Sequence, residues 1–499
     1  MVPRFNNFEH ISALDRSKVF LQGMAVLLTA LQVVPSHADD LLSVYRKALS
    51  QDTAFEAAKH ALEAAQQKIP QARAGFLPTI NWTASTSLQK GSTRLIPVTE
   101  KSTNSAENSE NTETSAGASA EAPAEVEPLN RSVRSHGWNL QLSQPVFRPI
   151  TWANFAQADA QVKQAQAQYM QAQQDLILRV AQGYFDVVVA ENNVRVAIAQ
   201  DNSVELQLKL AKRNFEVGTS TVTDVHEAKS RFELSKAQRI AAENELQAKL
   251  AELERITGSM PIKLAQLKNQ ATPPMPIPLV LTTWINKAKE QHPLVLAQTH
   301  AQEVANKEVS KNQAAHLPTL DFTAARSSNY SSGNLSSPTD METRAKSNQY
   351  SLQLTVPIYA GGMVDSRIKE SVSILNKAQA ELESARRQAA STARQAYYGV
   401  MNGHAQIEAL SAAVTASKSS VDANKIGYKI GTRINIDVLN AEQQLFAAIR
   451  DLSKARVETF LQGLRLKASI GAISEKDLME LNDSLVYSEP DIRLSAAKP

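Results

Sequence analysis

The chain has 499 residues, with 53 Lys and Arg against 50 Asp and Glu, no cysteine, only 17 glycines and 5% aromatic side chains. The missing cysteine excludes thiol nucleophiles, disulfides, thiolate zinc sites and iron–sulfur clusters. A formal net charge of +3 without a basic stripe leaves no footprint for nucleic acid, and 43% hydrophobic residues are too few for a polytopic helical membrane protein.

Arg16 and Lys18 precede an apolar run at 19–34, which is followed by Pro35-Ser36-His37-Ala38. A basic start, an apolar stretch and a small-x-small site predict a signal peptide over 1–38, cleaved on export. The alternative, a membrane anchor, calls for about 20 apolar residues, more than this run supplies. The mature chain is therefore expected to begin near Asp39, beyond the inner membrane.

A helix is predicted over 39–75, giving way at Leu77-Pro78-Thr79 to a strand at about 79–90. Residues 99–130 are acidic, rich in Ser and Thr and poor in large apolar groups, which predicts a disordered surface loop. A second strand follows at about 133–147. No proline lies between Pro149 and Pro261, and the window is rich in Ala, Gln, Glu, Lys and Leu, so long helices are expected at 149–217 and 221–258. Pro273-Pro274-Met275-Pro276-Ile277-Pro278 marks an extended linker over 261–282.

The second half repeats the first. A helix is expected at 283–315, strands at about 319–326 and 349–359, and long helices at 362–430 and 434–470, inside a window without proline between Pro357 and Pro490. Residues 471–499 form a C-terminal segment. Ala181-Gln182-Gly183-Tyr184-Phe185 recurs as Arg394-Gln395-Ala396-Tyr397-Tyr398. Asn214-Phe215-Glu216-Val217-Gly218-Thr219 recurs as Gly427-Tyr428-Lys429-Ile430-Gly431-Thr432, and Asp224-Val225 as Asp437-Val438. Leu77-Pro78-Thr79 recurs as Leu317-Pro318-Thr319 at a longer offset, because the acidic loop is an insertion in the first half. An internal repeat of this kind outranks any single motif.

All four strand segments alternate apolar and polar residues: Ile80, Trp82, Ala84 and Leu88; Trp138, Leu140 and Leu142; Leu320, Phe322 and Ala324; Tyr350, Leu352, Leu354 and Val356. One reading is a half-buried sheet packed on a helix. The other is a transmembrane barrel with lipid outside and water inside. Four strands cannot close a barrel, and open edges are not tolerated in lipid, so the second reading requires oligomerisation; a trimer supplies twelve strands. Trp152 and Phe155 just past the strands suit either interfacial anchors or junction packing.

A helix over 149–217 would run about 100 Å, too long for a compact domain. Val438, Ala441, Leu445, Ala448, Leu452 and Ala455 follow heptad spacing, with Val225, Ala228, Phe232 and Ser235 as repeat mates, as in a coiled coil with small residues at alternate core positions. Gly218 and Gly431 suit the turns between the long helices.

Leu317-Pro318-Thr319-Leu320-Asp321, Val356-Pro357-Ile358-Tyr359-Ala360-Gly361-Gly362-Met363-Val364 and Val438-Leu439-Asn440-Ala441 after Gly431-Thr432-Arg433 resemble the TolC family of outer-membrane channel proteins, over essentially the whole mature chain. The resemblance implies a mixed α and β membrane protein: a homotrimer with one twelve-stranded barrel in outer-membrane lipid and a long helical barrel in the periplasm. It implies a passive exit duct, for efflux or type I secretion, that docks onto a periplasmic adaptor (membrane fusion protein) and an inner-membrane pump of ABC or RND type, with no cofactor. It also implies a periplasmic gate in which Tyr428 bonds toward Asp224, Arg433 reaches Thr223 and Asp437 faces the pore axis. Asn440 stands where well-known members carry a second aspartate, leaving one carboxylate per chain at the constriction. Without the resemblance, Asp224 reads as the far end of a Thr221-x-x-Asp224 capping pattern and Asp437 as a first-turn carboxylate.

No G-x-S-x-G, G-x-x-x-x-G-K-[ST], G-x-G-x-x-G or H-E-x-x-H occurs, and the nine His, among them His292 and His300, are too scattered to argue for a metal. Neither catalysis nor a metal is expected. The competing class is a soluble periplasmic coiled-coil adaptor, which would typically add a lipoyl-like β-domain and an anchor.

Overall fold

Two helices, α4 (Pro149–Glu216) and α8 (Met363–Lys429), of 68 and 67 residues, set the length of the computed structural model. The structure describes residues 39–93, 129–261, 263–268, 271–335, 339 and 341–486. The expected signal peptide and nearly all of the acidic loop lie outside them. In chain order the remaining elements are α1 (Leu41–Gln51), α2 (Thr53–Gln66), α3 (Lys68–Ala74), β1 (Thr79–Thr93), β2 (Leu129–Phe147), α5 (Val222–Thr257), β3 (Gln266–Leu267), α6 (Leu281–Gln291), α7 (Pro293–Ala314), β4 (Thr319–Ser332), β5 (Glu342–Thr355), α9 (Asn435–Ser469), α10 (Glu475–Asn482) and β6 (Leu485–Val486).

Two helices read as continuous are broken. The stretch 39–75 is three helices. Asp52 leaves the helical region to cap α2, accepting from the Phe55 N–H at 2.7 Å, and Pro70 has no N–H with which to continue the preceding turn. The stretch 283–315 breaks at His292, which is extended (φ −61°, ψ 130°) because a residue before proline is pushed out of the helical region. The 261–282 linker is partly sheet, since Gln266 and Leu267 pair with Val486 and Leu485 of the C-terminal segment. The long strands also run further than the alternation suggested at their far ends, β4 to Ser332 and β5 from Glu342, while β5 stops at Thr355 short of the expected 359, ahead of Pro357, and Leu129 and Asn130 of the expected loop belong to β2.

The four long strands form one antiparallel sheet in the order β1-β2-β4-β5, with the β2–β4 pairing joining the two repeats. Its register gathers Ile80, Trp82, Leu140, Leu142, Phe322, Leu352 and Leu354 on one face. That face is bare: Ile80 is 64% exposed, Trp82 67% and Leu354 63%. The half-buried alternative required a helix over it, and among the described residues none covers it. The other face is Thr, Asn, Ser and Gln, with Asp321 and Arg131 its only charged residues among those described.

The core lies midway along the long helices. There Leu176, Ile177, Val180, Tyr184 and Phe185 of α4 meet α1, the end of α5, α9 and α10, while Leu382, Ala389, Ala393 and Tyr397 of α8 meet α6 and α7. The repeat mates Tyr184 and Tyr397 do the same work, each donating its hydroxyl to a carbonyl of the connecting segment, Ala265 and Leu279. Towards the sheet the Ala/Gln-rich part of α4 buries mostly small groups such as Ala158, Ala160 and Ala167. At the strand–helix junction Phe147 packs edge-on to Trp152 at 5.2 Å and Phe76 to Phe155 at 6.1 Å, yet Trp152 stays 51% exposed. Arg148 donates to both carboxylate oxygens of Asp321 (2.9 and 2.8 Å), tying that junction to β4.

Candidate functional site

Away from the sheet, α4 with α5 and α8 with α9 form two helical hairpins. Both turns close alike. Gly218 and Gly431 adopt φ of 77°, with Thr219 N–H donating to Asn214 O at 2.8 Å and Thr432 N–H to Gly427 O at 2.9 Å, a Schellman closure that only a residue tolerant of positive φ makes without strain. Each hairpin has its own small-residue seam: Leu208, Ala211 and Ala228 in the first, Val421, Ala441 and Leu445 in the second.

The first turns of α5 and α9 differ. Thr221 and Asp224 make a full capping box: the Asp224 N–H donates to Thr221 Oγ1 (3.2 Å), and Asp224 Oδ2 accepts from the Thr221 N–H (3.0 Å) and from the hydroxyls of Thr221 (2.9 Å) and Ser220 (2.7 Å). The Ser220 hydroxyl and the Thr221 backbone N–H hold the Asp224 carboxyl below the usual range, against a smaller upward push from burial. In the second repeat the cap residue is Ile434, whose side chain accepts nothing. Asp437 receives only the Ile434 N–H at 3.4 Å and lies 3.8 Å from Arg433 Nη1. Its carboxylate is less engaged than that of Asp224, whose Oδ2 accepts three bonds.

Polar links join the two hairpins above the turns. Asn214 Nδ2 donates to the Tyr428 hydroxyl at 2.9 Å. Arg231 of α5 donates to Asn440 Oδ1 at 3.1 Å and Gln443 Oε1 at 2.9 Å. Glu442 of α9 is only 3% exposed. Its Oε2 accepts from Ser203 of α4 at 2.8 Å, and Lys425 Nζ of α8 lies 2.7 Å from Oε1 but too far off axis for a hydrogen bond, so that contact is ionic. Such charge-assisted contacts are strong where water is excluded and replaceable where it enters.

A profile of the family described as "Outer membrane efflux protein" matches residues 44–259 and 284–472, one stretch in each half. The chain belongs to the outer membrane efflux protein family. Outer membrane protein TolC of Vibrio cholerae serotype O1 is 31% identical over 454 residues, spanning 90% of this chain and 94% of that protein. Alkaline protease secretion protein AprF of Pseudomonas aeruginosa is 29% identical, spanning 91% and 89%. Among solved structures, the Campylobacter jejuni CmeC outer membrane channel matches with a TM-score of 0.68 at 17% identity over 89% of both chains. The Neisseria gonorrhoeae MtrE outer membrane channel, in its open state, matches with 0.61 at 18% identity over 87% of this chain and 89% of that one. The TolC-family resemblance is thereby established, and with it a place in the outer membrane with a periplasmic portion, as an exit duct in a family of channels.

Against this family background, the expected gate residues all gather at the hairpin ends but are not paired as expected within one chain. Tyr428 is bonded to Asn214, and Asp224 to Ser220 and Thr221, with no hydrogen bond between Tyr428 and Asp224. The capping box holds Asp224 Oδ2 against its own turn. Arg433 lies by Asp437, and Thr223 stands exposed on α5. Asn440 accepts from Arg231. Sequence reasoning missed Ser203, Asn214, Arg231, Lys425 and Glu442. A glutamate directly after the heptad residue Ala441 was the one available signal, and it does not distinguish a seam-flanking surface charge from a buried one.

Proposed function

We propose that three copies of this chain close a twelve-stranded barrel in the outer membrane and continue it as a helical duct, passing drugs, other small molecules or proteins outward from a periplasmic adaptor and an inner-membrane pump of ABC or RND type. The observation that carries this reading is the sheet. It has a bare apolar face, an almost uncharged polar face, and two unpaired edges, β1 and β5. Lipid tolerates no open edge, and joining β5 of one copy to β1 of the next removes all of them. A soluble adaptor would leave the same apolar face in water.

At the hairpin ends, Asp437 faces the duct axis as a ring of carboxylates, one per chain because the neighbouring position is Asn440. The Asn214–Tyr428, Ser203–Glu442–Lys425 and Arg231–Asn440 links hold the hairpins in the closed arrangement. Arg433 and Thr223, both exposed, meet across neighbouring copies, and Asp224 keeps the first turn rigid. Opening exchanges the links for water or for an adaptor's groups.

The test is the mass of the mature protein after gentle detergent extraction of outer membranes. A membrane-bound particle of three protomers is expected; a soluble periplasmic monomer or dimer overturns the reading.

A further inference from the structure

On the apolar face of the sheet, side chains change character abruptly towards the ends distant from the helices. Beyond Leu88 on β1 comes Lys90; beyond Trp138 on β2 come His136 and Arg134; beyond Ala324 on β4 comes Arg326; beyond Tyr350 on β5 come Lys346 and Arg344. The five lysines and arginines point, with His136, to the same side as Ile80 and Trp82, because every one lies an even number of positions from the apolar residues of its strand. All five are exposed. The acid on this face among the described residues is Glu342, which accepts the Tyr330 hydroxyl at 3.0 Å, while Arg344 lies 5.5 Å above the Tyr330 ring. Lys90, Arg134, Arg326 and Lys346 form no ion pair with any described residue.

The boundary between apolar and basic side chains is not level with the strand register. Arg134 pairs opposite Leu88, whereas Arg326 pairs opposite Leu140, which itself faces Trp82, so the change comes about six residues earlier along β4 than along β2. In a sheet whose strands tilt roughly 40° from the membrane normal, a level line drops along the register from strand to strand. Such a tilt lowers the line by roughly one to two residues per strand, so Arg326, beside Leu140, lies about four residues closer to the helices, while Lys90, Arg134, Lys346 and Arg344 fall on a belt near one depth just outside the apolar band. This is where lipid headgroups lie.

We propose that this belt is a binding surface for lipids with phosphate-bearing headgroups in the outward leaflet. The inference rests on the barrel reading of the sheet. Charge complementarity selects the occupant: five cations from all four strands, against one acid already engaged, match phosphomonoesters and have no use for zwitterionic lipid. Arginine, three of the five, binds phosphate through paired N–H donors. The belt continues the apolar band, so one lipid satisfies both, its chains on Trp82, Leu140 and Trp138 and its phosphate on the cations.

The experiment uses the full chain with Trp152→Phe, leaving Trp82 and Trp138 as reporters on this face, reconstituted with brominated lipids that quench tryptophan. The probes are brominated phosphatidic acid and brominated phosphatidylcholine. An association ratio of at least tenfold in favour of phosphatidic acid is expected. It should fall towards one in Arg134→Gln/Arg326→Gln/Lys346→Gln and with rising salt. A ratio near one in the parent protein, or an unchanged ratio in the triple variant, overturns the proposal while quenching by phosphatidylcholine still upholds the barrel. No quenching by either lipid overturns both. Deleting the acidic residues 99–128 tests the rival occupant. If selectivity appears only after deletion, that segment holds the belt and the lipid proposal fails.

Discussion

Replacing Ser203 with alanine takes a hydroxyl donor away from Glu442 Oε2 while leaving the carboxylate buried. The pair is 2.8 Å apart, and Glu442 is 3% exposed, so water does not substitute for the lost donor while the hairpins stay together. A hydrogen bond to a charged group contributes about 2 kcal/mol. Separation of the hairpins hydrates Glu442 and recovers that loss, so the closed arrangement alone is destabilised. In the proposed trimer, with three copies opening together, the shift is on the order of 6 kcal/mol, comparable with the roughly 5.5 kcal/mol that carries a two-state equilibrium from 1:99 to 99:1. Ser203→Ala should therefore turn a mostly closed channel into a mostly open one, and single-channel conductance in planar bilayers reads the change directly. Adding Tyr428→Phe, which keeps the ring but removes the acceptor for Asn214, should not restore the closed level. Wild-type conductance in both variants would refute the role assigned to these links.

Asp437→Ala should abolish block by multivalent cations while changing stability by less than about 0.5 kcal/mol, because its only contacts are the 3.4 Å and 3.8 Å ones to Ile434 and Arg433; unchanged block in single-channel recordings would remove Asp437 from the constriction. Asp224 titrates below the ordinary carboxylate range when folded, chiefly through the Ser220 hydroxyl, so its capping contribution is present above the unfolded pKa and lost as pH falls through the folded value. Hydrogen exchange at the start of α5 should accelerate in strong acid, and Asp224→Asn should remove that acid dependence; an unchanged acid response in the variant would contradict the capping role. Gly427→Ala places a Cβ 2.7 Å from Arg433 Cγ, so Arg433 must move. Overpacking of about 2 kcal/mol less roughly 1 kcal/mol of helix propensity leaves a small net loss in thermal stability, together with altered conductance. Burial lowers the pKa of His292, against the pull of Asp175, and its Nδ1 accepts the Leu294 N–H at 3.1 Å, which requires the neutral ring. Folding is then weakened as pH falls from about 6.5 towards the lowered value, and His292→Asn, which caps without titrating, should remove that dependence in a urea titration.

The large elements are legible because they follow from rules that act along the chain. Proline-free windows bracket α4 and α8, a period of two marks every long strand, and the repeat of Gly218 as Gly431 locates both hairpin turns. What the chain does not advertise is any partnership across large sequence distance. Asn214 is joined to Tyr428 and Ser203 to Glu442 by packing one hairpin on another, and no local spacing encodes that register. Within one chain Tyr428 and Asp224 are not bonded, for the opposite reason. Asp224 has a local use, the box with Thr221, and a contact three residues away forms at less entropic cost than one across the duct. In the second repeat Ile434 denies Asp437 the same local use. The two aspartates are repeat mates with identical sequence offsets, yet one residue in each cap decides that the first is bound into its own capping box and the second keeps only the Ile434 N–H and the Arg433 contact.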